Sequence, residues 1–293
     1  MPRVTYLFFT LLILIFPLFE YAIPSPLDGD RAFPTTENEF PYIAYIAAPF
    51  RIIRSNKIWY TGTLITKRHI LTAAHCMTVE DIDYSPSSVE IKAGSHLFEQ
   101  SKEYQMKSFI TYENWKEQSK MPSCRKGKIS CKKDIPNCEV DLAIIELTKN
   151  IDNNQIVPAK LSTRSIGDME GSHAILAGWG LLKGSNRPPS VLHQAYAKIL
   201  SPEMCSRKLL ELTKRKMKVP KKFICTYADP PVLLGCGDSG SPVIYNNKVV
   251  AISRSVCPEE SSMERPGVNL HHFTFYYKDF IDSVTSPELV QWV

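Results

Sequence analysis

The sequence predicts an all-β protein, either a β-sandwich or a pair of β-barrels, with an α-helix near its end. Short apolar segments rich in β-branched and aromatic residues recur along the chain, and Gly, Pro, Asn, Asp or Ser residues bound them. Helical segments do not alternate regularly with these strands, which disfavours a parallel α/β sheet. The 293 residues suit one large or two small domains.

The predicted strands are Tyr42–Ala47, Trp59–Ile65, Val89–Ala93, Leu142–Leu147, Ala174–Ala177, Ala195–Leu200, Phe223–Thr226, Pro242–Tyr245 and Lys248–Ser253. Between the last two, Asn246-Asn247 predicts a hairpin turn, because asparagine tolerates a positive φ. A helix is predicted at Pro202–Leu212, where Ser201 precedes a proline at the helix start. The terminal helix is predicted from apolar residues at roughly helical spacing, namely Phe275, Phe280, Ile281 and Val284.

The composition is that of a packed globular protein, with 44% hydrophobic and 22% charged residues. Lys+Arg 35 against Asp+Glu 30 gives a formal net charge of +5. This excess is too small to indicate nucleic-acid binding, which needs a clustered basic surface. We therefore expect no nucleic-acid partner.

The N-terminal segment has the layout of a secretory signal peptide. Arg3 precedes an almost continuous apolar run, Leu7 to Phe19, and Ala22 offers a small residue for cleavage. We expect residues 1–22 to be the signal and residues 23–293 to form the secreted, extracellular domain.

A membrane anchor is the alternative interpretation of this segment. The apolar run is shorter than the ~20 residues that a spanning helix needs, and Pro17 interrupts it. We expect no membrane span. In an oxidising compartment, disulfides become the default for the 8 cysteines.

Two stretches are predicted to be inserted loops. One runs from about Glu113 to Glu139 and contains Cys124, Cys131 and Cys138 among lysines. The other, Lys214 to Lys222, is strongly basic and is called the basic segment below. Solvated surface loops are the simpler interpretation of both. The alternative is a binding surface for an acidic partner, such as a sulfated glycan or a phospholipid.

Three segments carry the residue types of nucleophilic catalysis. In Gly237-Asp238-Ser239-Gly240, a serine flanked by glycines can project its hydroxyl and leave backbone N–H groups open to a developing oxyanion. A serine needs a base within hydrogen-bond reach, and His75 ends an apolar segment. Asp141 supplies a carboxylate at the head of a predicted strand. Taken singly, the histidine and the aspartate are more typical of structural roles.

The order His75, Asp141, Ser239 is that of the chymotrypsin template, and the sequence resembles the chymotrypsin/trypsin-like serine endopeptidases along nearly all of its secreted length. Further matching segments are Phe40-Pro41-Tyr42, Thr61-Gly62-Thr63-Leu64-Ile65, Gly178-Trp179-Gly180 and Pro266-Gly267-Val268. The resemblance implies two six-stranded antiparallel β-barrels with the active site in the cleft between them. It also implies a protein or peptide substrate and no cofactor or metal. We expect a monomer.

The resemblance assigns a role to each residue of the triad. Ser239 would attack the scissile carbonyl, and His75 would accept its proton and later protonate the leaving amine. Asp141 would hold the imidazole tautomer and stabilise the imidazolium. The backbone N–H groups of Gly237 and Ser239 would form the oxyanion hole, where one donor is worth about 3–4 kcal/mol of barrier lowering.

The predicted substrate pocket differs from the family pattern. The strand that usually reads Ser-Trp-Gly is Ser253-Arg254-Ser255 here, and the pocket floor near Leu234 and Gly235 has no aspartate. Cleavage after Lys or Arg is therefore disfavoured. A small or apolar substrate side chain is preferred, although Arg254 would instead attract an acidic one.

The activation machinery also departs from the pattern. The family's mature chain begins with two apolar residues and two glycines, and its freed amine pairs with the aspartate that precedes the catalytic serine. Here Leu27-Asp28-Gly29 is a distant match without a basic residue before it. Without an amine, Asp238 needs another partner, since a buried unpaired carboxylate is costly. In addition, Cys236 directly adjoins Gly237, which shortens the loop beside the oxyanion hole by one residue.

For the cysteines, the resemblance implies disulfides Cys205–Cys225 and Cys236–Cys257, while Tyr60 replaces the usual partner of the cysteine beside the histidine. The remaining residues, Cys76, Cys124, Cys131 and Cys138, allow three complete pairings. One hypothesis is a bridge from Cys76 into the insertion. A zinc site is the rival interpretation, but the spacing lacks the Cys-x₂₋₄-Cys pairs of common zinc ligands.

The leading hypothesis from the sequence is a secreted serine endopeptidase that works through an acyl-enzyme, because all three residues of the triad are present. A catalytically weak homologue that binds or regulates is the alternative, favoured by the altered start, the shortened loop and the remodelled pocket. A protein whose main task is glycan binding through its basic surface is the third possibility.

Overall fold

The computed structural model describes residues 32–52, 56–118, 140–152, 156–182, 185, 187–258 and 266–293. The strands are β1 Ala32–Pro34, β2 Ile43–Pro49, β3 Lys57–Leu64, β4 His69–Thr72, β5 Glu90–Ala93, β6 Lys102–Thr111, β7 Ala143–Leu147, β8 His173–Gly178, β9 His193–Leu200, β10 Phe223–Tyr227, β11 Pro242–Tyr245, β12 Lys248–Cys257 and β13 Val268–Phe273. The helices are α1 Tyr112–Gln118, α2 Pro202–Thr213 and α3 Lys278–Thr285. Short 3-10 turns lie at Ala74–Met77, Phe98–Gln100, Ile166–Asp168 and Thr274–Tyr277.

The strands form two closed antiparallel β-barrels. The first barrel has the order β2-β3-β4-β7-β6-β5. In the second, β9-β10-β13-β12-β11-β8 closes through pairing of β8 with β9, and β1 adds to the outside of β9. This confirms the two six-stranded barrels and the C-terminal helix, and the β-sandwich alternative is wrong. No helix of the described residues is long and apolar enough to cross a membrane.

Strand β2 contributes to the apolar contact between the two barrels. All its residues are buried, and since successive side chains point to opposite faces of a strand, both faces of β2 are covered. Ala44 and Ile46 pack into the interior of the first barrel. Ile43 and Tyr45 pack in a second cluster that includes Trp179 of the other barrel. The apolar contact between the barrels therefore continues from one strand of the first barrel.

The pairing of β4 with β7 brings two chain ends together. In this antiparallel pair, Thr72 lies opposite Ala143 and Leu71 lies opposite Ile144. The chain leaves β4 at the same edge at which it enters β7. Residues just after Thr72 and just before Ala143 must consequently be neighbours, and His75 and Asp141 occupy these positions.

Local sequence signals correctly predict several turns and caps. Asn246 and Asn247 have φ values of 49° and 58°, which confirms the predicted hairpin turn. The side chain of Ser201 accepts a hydrogen bond from Met204 N–H at the start of α2, as expected for an N-cap. The unpredicted elements are β1, β4, β6, β13 and α1.

One of the two implied disulfides is present. Cys205 and Cys225 are bonded, which confirms that pair. The predicted Cys236–Cys257 bridge is wrong: Cys236 is an exposed thiol and Cys257 is buried with the other disulfide in the core. The reason lies in the shortened loop, where the carbonyl of Cys236 accepts a hydrogen bond from Leu181 N–H at 2.9 Å and the thiol remains at the surface.

Cys76 is a buried thiol, so the structure does not support a bridge from Cys76 into the insertion. Tyr60 lies beside it, in the same buried cluster. The three insertion cysteines, Cys124, Cys131 and Cys138, lie outside the described residues. The signal segment 1–22 and the segment Leu27-Asp28-Gly29 lie outside them as well.

Candidate active site

Two hydrogen bonds join His75 to Asp141 at the end of the β4–β7 pair. The ring Nδ1 lies 2.7 Å from Asp141 Oδ2, and the backbone N–H of His75 donates to Asp141 Oδ1, also at 2.7 Å. Both oxygens of the carboxylate are therefore engaged by one residue. This fixes the plane of the carboxylate and leaves Nε2 as the acceptor nitrogen of the ring.

The second barrel completes the surroundings of Asp141. His272 on β13 accepts a hydrogen bond from Asp141 N–H through Nε2 at 3.1 Å, and its Nδ1 lies 3.1 Å from Tyr277 Oη. Arg254 on β12 places Nε 3.6 Å from Asp141 Oδ2. The side chain of Asp141 is only 3% exposed, so the two barrels together enclose the carboxylate.

These contacts decide the charges in the site. Burial by itself would raise the pKa of Asp141, but the charge and the hydrogen bond of His75, together with the charge of Arg254, outweigh it and hold that pKa well below its usual value. Burial likewise opposes an imidazolium at His75, yet the Cys76 sulfur and the Asp141 carboxylate raise the pKa of His75 well above 6.5. Burial lowers the pKa of His272 to about 3, so that ring is neutral.

Thr61 on β3 docks the loop that carries Ser239. Its backbone N–H donates to Ser239 O at 3.0 Å, and its hydroxyl donates to Gly237 O at 2.8 Å. The same hydroxyl accepts from Trp179 N–H at 3.0 Å. One side chain thus ties the loop both to β3 and to the end of β8.

Gly240 allows the loop to approach the histidine segment closely. It has a φ of +84°, and a Cβ at this position would lie 2.1 Å from Thr61 O and 3.1 Å from Ala73 N. Only glycine tolerates such contacts. Ser239 is therefore held next to the segment that leads from Ala73 into His75.

The structure does not bring Ser239 into hydrogen-bond contact with His75. Nε2 of His75 instead faces Cys76 Sγ at 3.9 Å, and the Tyr60 ring meets the imidazole edge to face, with ring centroids 6.2 Å apart. Catalytic hydrogen bonds are often longer in the absence of substrate than in the reacting complex. The structure thus holds the acid and the base in bonded contact, with the serine loop docked alongside.

The backbone N–H groups of Gly237 and Ser239 are the ones that the sequence analysis assigned to an oxyanion hole. Among the described residues, neither N–H group donates to a backbone or side-chain acceptor. Gly237 has a φ of +94°, which favours glycine, and a Cβ there would lie 2.9 Å from Trp59 Nε1. Trp59 accordingly covers the loop at the position where an added side chain would collide.

Asp238 is fully buried directly before the serine. Its carboxylate accepts hydrogen bonds from Gly235 N–H at 3.1 Å and from Gly180 N–H at 3.2 Å. No lysine, arginine or histidine of the described residues pairs with it, and burial raises its pKa to about 7. Two backbone donors thus hold the carboxylate where the family pattern would bring an amine.

The predicted pocket residues divide into two groups. Gly235 and Ser255 are half-buried, whereas Leu234, Ser253 and Arg254 are buried. The hydroxyl of Ser253 lies 3.2 Å from His271 Nδ1, and Arg254 points to Asp141. The expectation that Arg254 attracts an acidic substrate side chain is therefore corrected, because a β-bulge turns its side chain inward.

The pocket floor is held by a residue that the sequence analysis missed. Asn269 on β13 accepts from Leu234 N–H at 2.8 Å and donates to Val232 O at 2.8 Å. Thr61 and His272 were also missed as parts of the site. Thr61 lies in a segment that matched the family, but nothing in the sequence marks the contacts of Asn269 and His272. No group of three metal-ligating side chains forms within the described part of the chain.

Comparison with known proteins gives consistent results. Residues 31–281 match the model of the family described as Trypsin. The thrombin-like enzyme cerastocytin of Cerastes cerastes is 26% identical over 239 residues, which cover 80% of this chain and 80% of that protein. A chymotrypsin of Phaedon cochleariae is 28% identical over 211 residues, covering 69% and 66% respectively. The fold is similar to that of HL collagenase, with a TM-score of 0.64, 20% identity and coverage of 88% and 99%.

The docking role of Thr61 is testable with a matched pair of variants. Thr61→Val removes the hydroxyl that bonds Gly237 O and Trp179 N–H, which should lower the free energy of unfolding by about 1–3 kcal/mol. Thr63→Val, two residues along the same strand, removes a buried hydroxyl that has no hydrogen-bond partner among the described residues. Urea denaturation should show little loss for Thr63→Val. Equal losses in the two variants would contradict the docking role.

The raised pKa of Asp238 predicts how the free energy of unfolding depends on pH. Its folded pKa of about 7 exceeds the unfolded value of about 4, so the stability that its proton contributes is complete below about pH 4 and is lost as pH rises through 7. In Asp238→Asn this loss is absent. The free energy of unfolding of the variant minus that of the wild type should increase between pH 4 and 8, measured by urea denaturation. A falling difference would indicate a cationic partner that lowers the pKa of Asp238, and a flat difference would mean that folding leaves this pKa unchanged; either result contradicts the prediction.

Proposed function

We propose that this chain, which belongs to the trypsin family, is a serine endopeptidase that hydrolyses peptide bonds through His75, Asp141 and Ser239. The observation that carries the proposal is the double hydrogen bond from His75 to Asp141, both at 2.7 Å, beside the docked Ser239 loop. An imidazole held through Nδ1 presents Nε2 as a base, which is what a serine nucleophile requires.

The first half of the reaction forms an acyl-enzyme. Ser239 Oγ attacks the scissile carbonyl carbon while Nε2 of His75 takes the hydroxyl proton. The carbonyl oxygen becomes an oxyanion, which the N–H groups of Gly237 and Ser239 stabilise. The imidazolium, stabilised by Asp141, then gives its proton to the leaving amine as the peptide C–N bond breaks.

The second half restores the serine. A water molecule attacks the acyl carbonyl while Nε2 of His75 takes a proton from it. The ester bond to Ser239 Oγ then breaks, and the proton returns from His75 to that oxygen. Both steps require hydrogen-bond contact between His75 Nε2 and Ser239 Oγ, which needs a rotation of the imidazole away from Cys76 Sγ or a rotation of the Ser239 side chain.

The substrate class follows from the family and from the apolar pocket floor. Trypsin-family enzymes act on proteins, and no aspartate lies at Leu233, Leu234 or Gly235 to pair with a substrate lysine or arginine. We propose cleavage after a small or apolar side chain. We also propose that the protein is secreted after removal of residues 1–22 and acts as a monomer.

Covalent labelling tests the proposed chemistry. A fluorophosphonate probe should label the wild type at Ser239, and Ser239→Ala should abolish the label, while Ser165→Ala at an exposed serine should not. The labelling rate should rise with pH, with a midpoint above 6.5, because only neutral His75 accepts the proton.

Absence of labelling in folded, processed protein would favour the alternative of a catalytically weak homologue that binds or regulates. A labelling rate unchanged between pH 5 and pH 8 would contradict the role of His75 as the base.

A second candidate function rests on the basic segment, residues 214–222. Its cationic side chains Lys214, Arg215, Lys216, Lys218 and Lys221 are exposed. Met217 and Val219 between them are 2% and 4% exposed and pack against the Cys205–Cys225 disulfide. Burial of Met217 and Val219 anchors the segment to the protein and leaves the flanking cations at the surface, and such a concentration of positive charge suits a linear polyanion. We propose a sulfated glycan as the partner.

Heparin affinity chromatography tests this surface. Replacing Lys214, Lys216 and Lys218 by glutamine should lower the salt concentration of elution, since fewer charges contact the polyanion. The matched control replaces Lys57, Lys107 and Lys278, which are exposed but already paired with acidic residues. Equal elution of the two triple variants would contradict the proposal, and retention only on anionic lipid vesicles would indicate a membrane partner instead.

A further inference from the structure

Arg254 occupies a bulge in the strand that borders the active site. Along the β12–β13 pair, Ser253 lies opposite His271 and Ser255 lies opposite Leu270, so Arg254 is the extra residue between two consecutive partners. A β-bulge changes the direction of a side chain relative to a regular strand. Here it directs the guanidinium into the protein, where the side chain is only 2% exposed.

The surroundings hold this guanidinium against the triad. Its Nε lies 3.6 Å from Asp141 Oδ2, the same oxygen that bonds His75 Nδ1. Its other face lies over the Phe223 ring at 5.4 Å, and Phe223 packs on His272 with ring centroids 4.6 Å apart. Aromatic contact and charge pairing together immobilise the cation.

We propose that Arg254 is a positioning residue for the triad: its guanidinium fixes the carboxylate of Asp141 and opposes the positive charge that His75 takes up during the reaction. The inference rests on the proposed function, since it assigns to Arg254 an effect on the catalytic base. Arg254 itself acts through Asp141 and not on the substrate.

The other groups around the pair do not supply a fixed positive charge. Cys76 Sγ and the Tyr60 ring face His75, and His272 and Tyr277 lie behind Asp141. Burial keeps His272 neutral by lowering its pKa to about 3, and burial raises the pKa of Tyr60 and Tyr277 above their usual values. Arg254 is therefore the permanent cation of this cluster among the described residues.

The size of the effect follows from Coulomb's law. Arg254 Nε lies 3.6 Å from Asp141 Oδ2, and that oxygen lies 2.7 Å from His75 Nδ1, so the charge is about 6 Å from the imidazole. At an effective dielectric constant of about 20, a charge at about this distance should lower the pKa of the imidazole by about two units. Asp141 and Cys76 raise the pKa of His75, and Arg254 limits that rise. His75 is therefore neutral, and able to act as a base, at a lower pH than it would be beside Asp141 without Arg254.

The test measures the protonation of His75 directly, without turnover. In the full chain carrying Ser239→Ala, NMR titration of the His75 ring should give a pKa about two units higher in Arg254→Met and in Arg254→Gln than with Arg254 intact. Arg254→Lys keeps the charge and should stay close to the parent. Arg207→Met removes an exposed arginine from α2 and should cause no change.

The same variants with Ser239 intact add a kinetic readout. The acid limb of kcat/KM should move to higher pH in Arg254→Met by the shift seen in the titration, and Arg254→Lys should restore it. Two neutral variants guard against failure of one to fold. If no variant hydrolyses any substrate, the proposed function fails, while the titration in the Ser239→Ala chain still decides the role of Arg254.

Two results would overturn the inference. One is an unchanged His75 pKa in a folded Arg254→Met or Arg254→Gln protein. The other is a selective rise in KM for substrates with acidic side chains, without any shift along the pH axis. That pattern would mean that Arg254 turns outward and binds substrate.

Discussion

The candidate site depends on the hydrogen bond between His75 Nδ1 and Asp141 Oδ2, at 2.7 Å. This bond lies at the contact between the two barrels. The first barrel supplies both partners, because the β4–β7 register leaves them at the same edge. The second barrel encloses the carboxylate through His272 and Arg254. A buried carboxylate without such partners would be strongly unfavourable. The contact between the barrels is therefore also a condition for an ionised Asp141.

The loop that carries Ser239 is held by hydrogen bonds from Thr61 and to the Asp238 carboxylate. Thr61 bonds two carbonyls of the loop, and Gly240 permits the approach to Ala73. The loop is one residue shorter than the family pattern, which accounts for the exposed thiol of Cys236 in place of the second disulfide. Asp238 is held by two backbone N–H groups. These contacts keep the loop in place without a cationic partner for Asp238 among the described residues.

The sequence predicted most of the strands, because strand signals are local, and the family resemblance implied their arrangement in two barrels. It missed β1 and β4, which are too short to show a pattern. It also missed β13, whose buried Asn269, His271 and His272 disguise a core strand. The inward turn of Arg254 was unpredictable for a related reason. A bulge is defined by the register of two strands, and neither strand alone carries that information.

A crystal structure of the chain phosphonylated by a fluorophosphonate tests the central claim most directly. The account predicts a covalent bond at Ser239 Oγ and a phosphonyl oxygen within hydrogen-bond distance of Gly237 N–H and Ser239 N–H. It also predicts His75 Nε2 turned from Cys76 towards the adduct, with Nδ1 still bonded to Asp141. An adduct on another residue, or an imidazole that stays on Cys76 with Asp141 detached from it, would contradict the account.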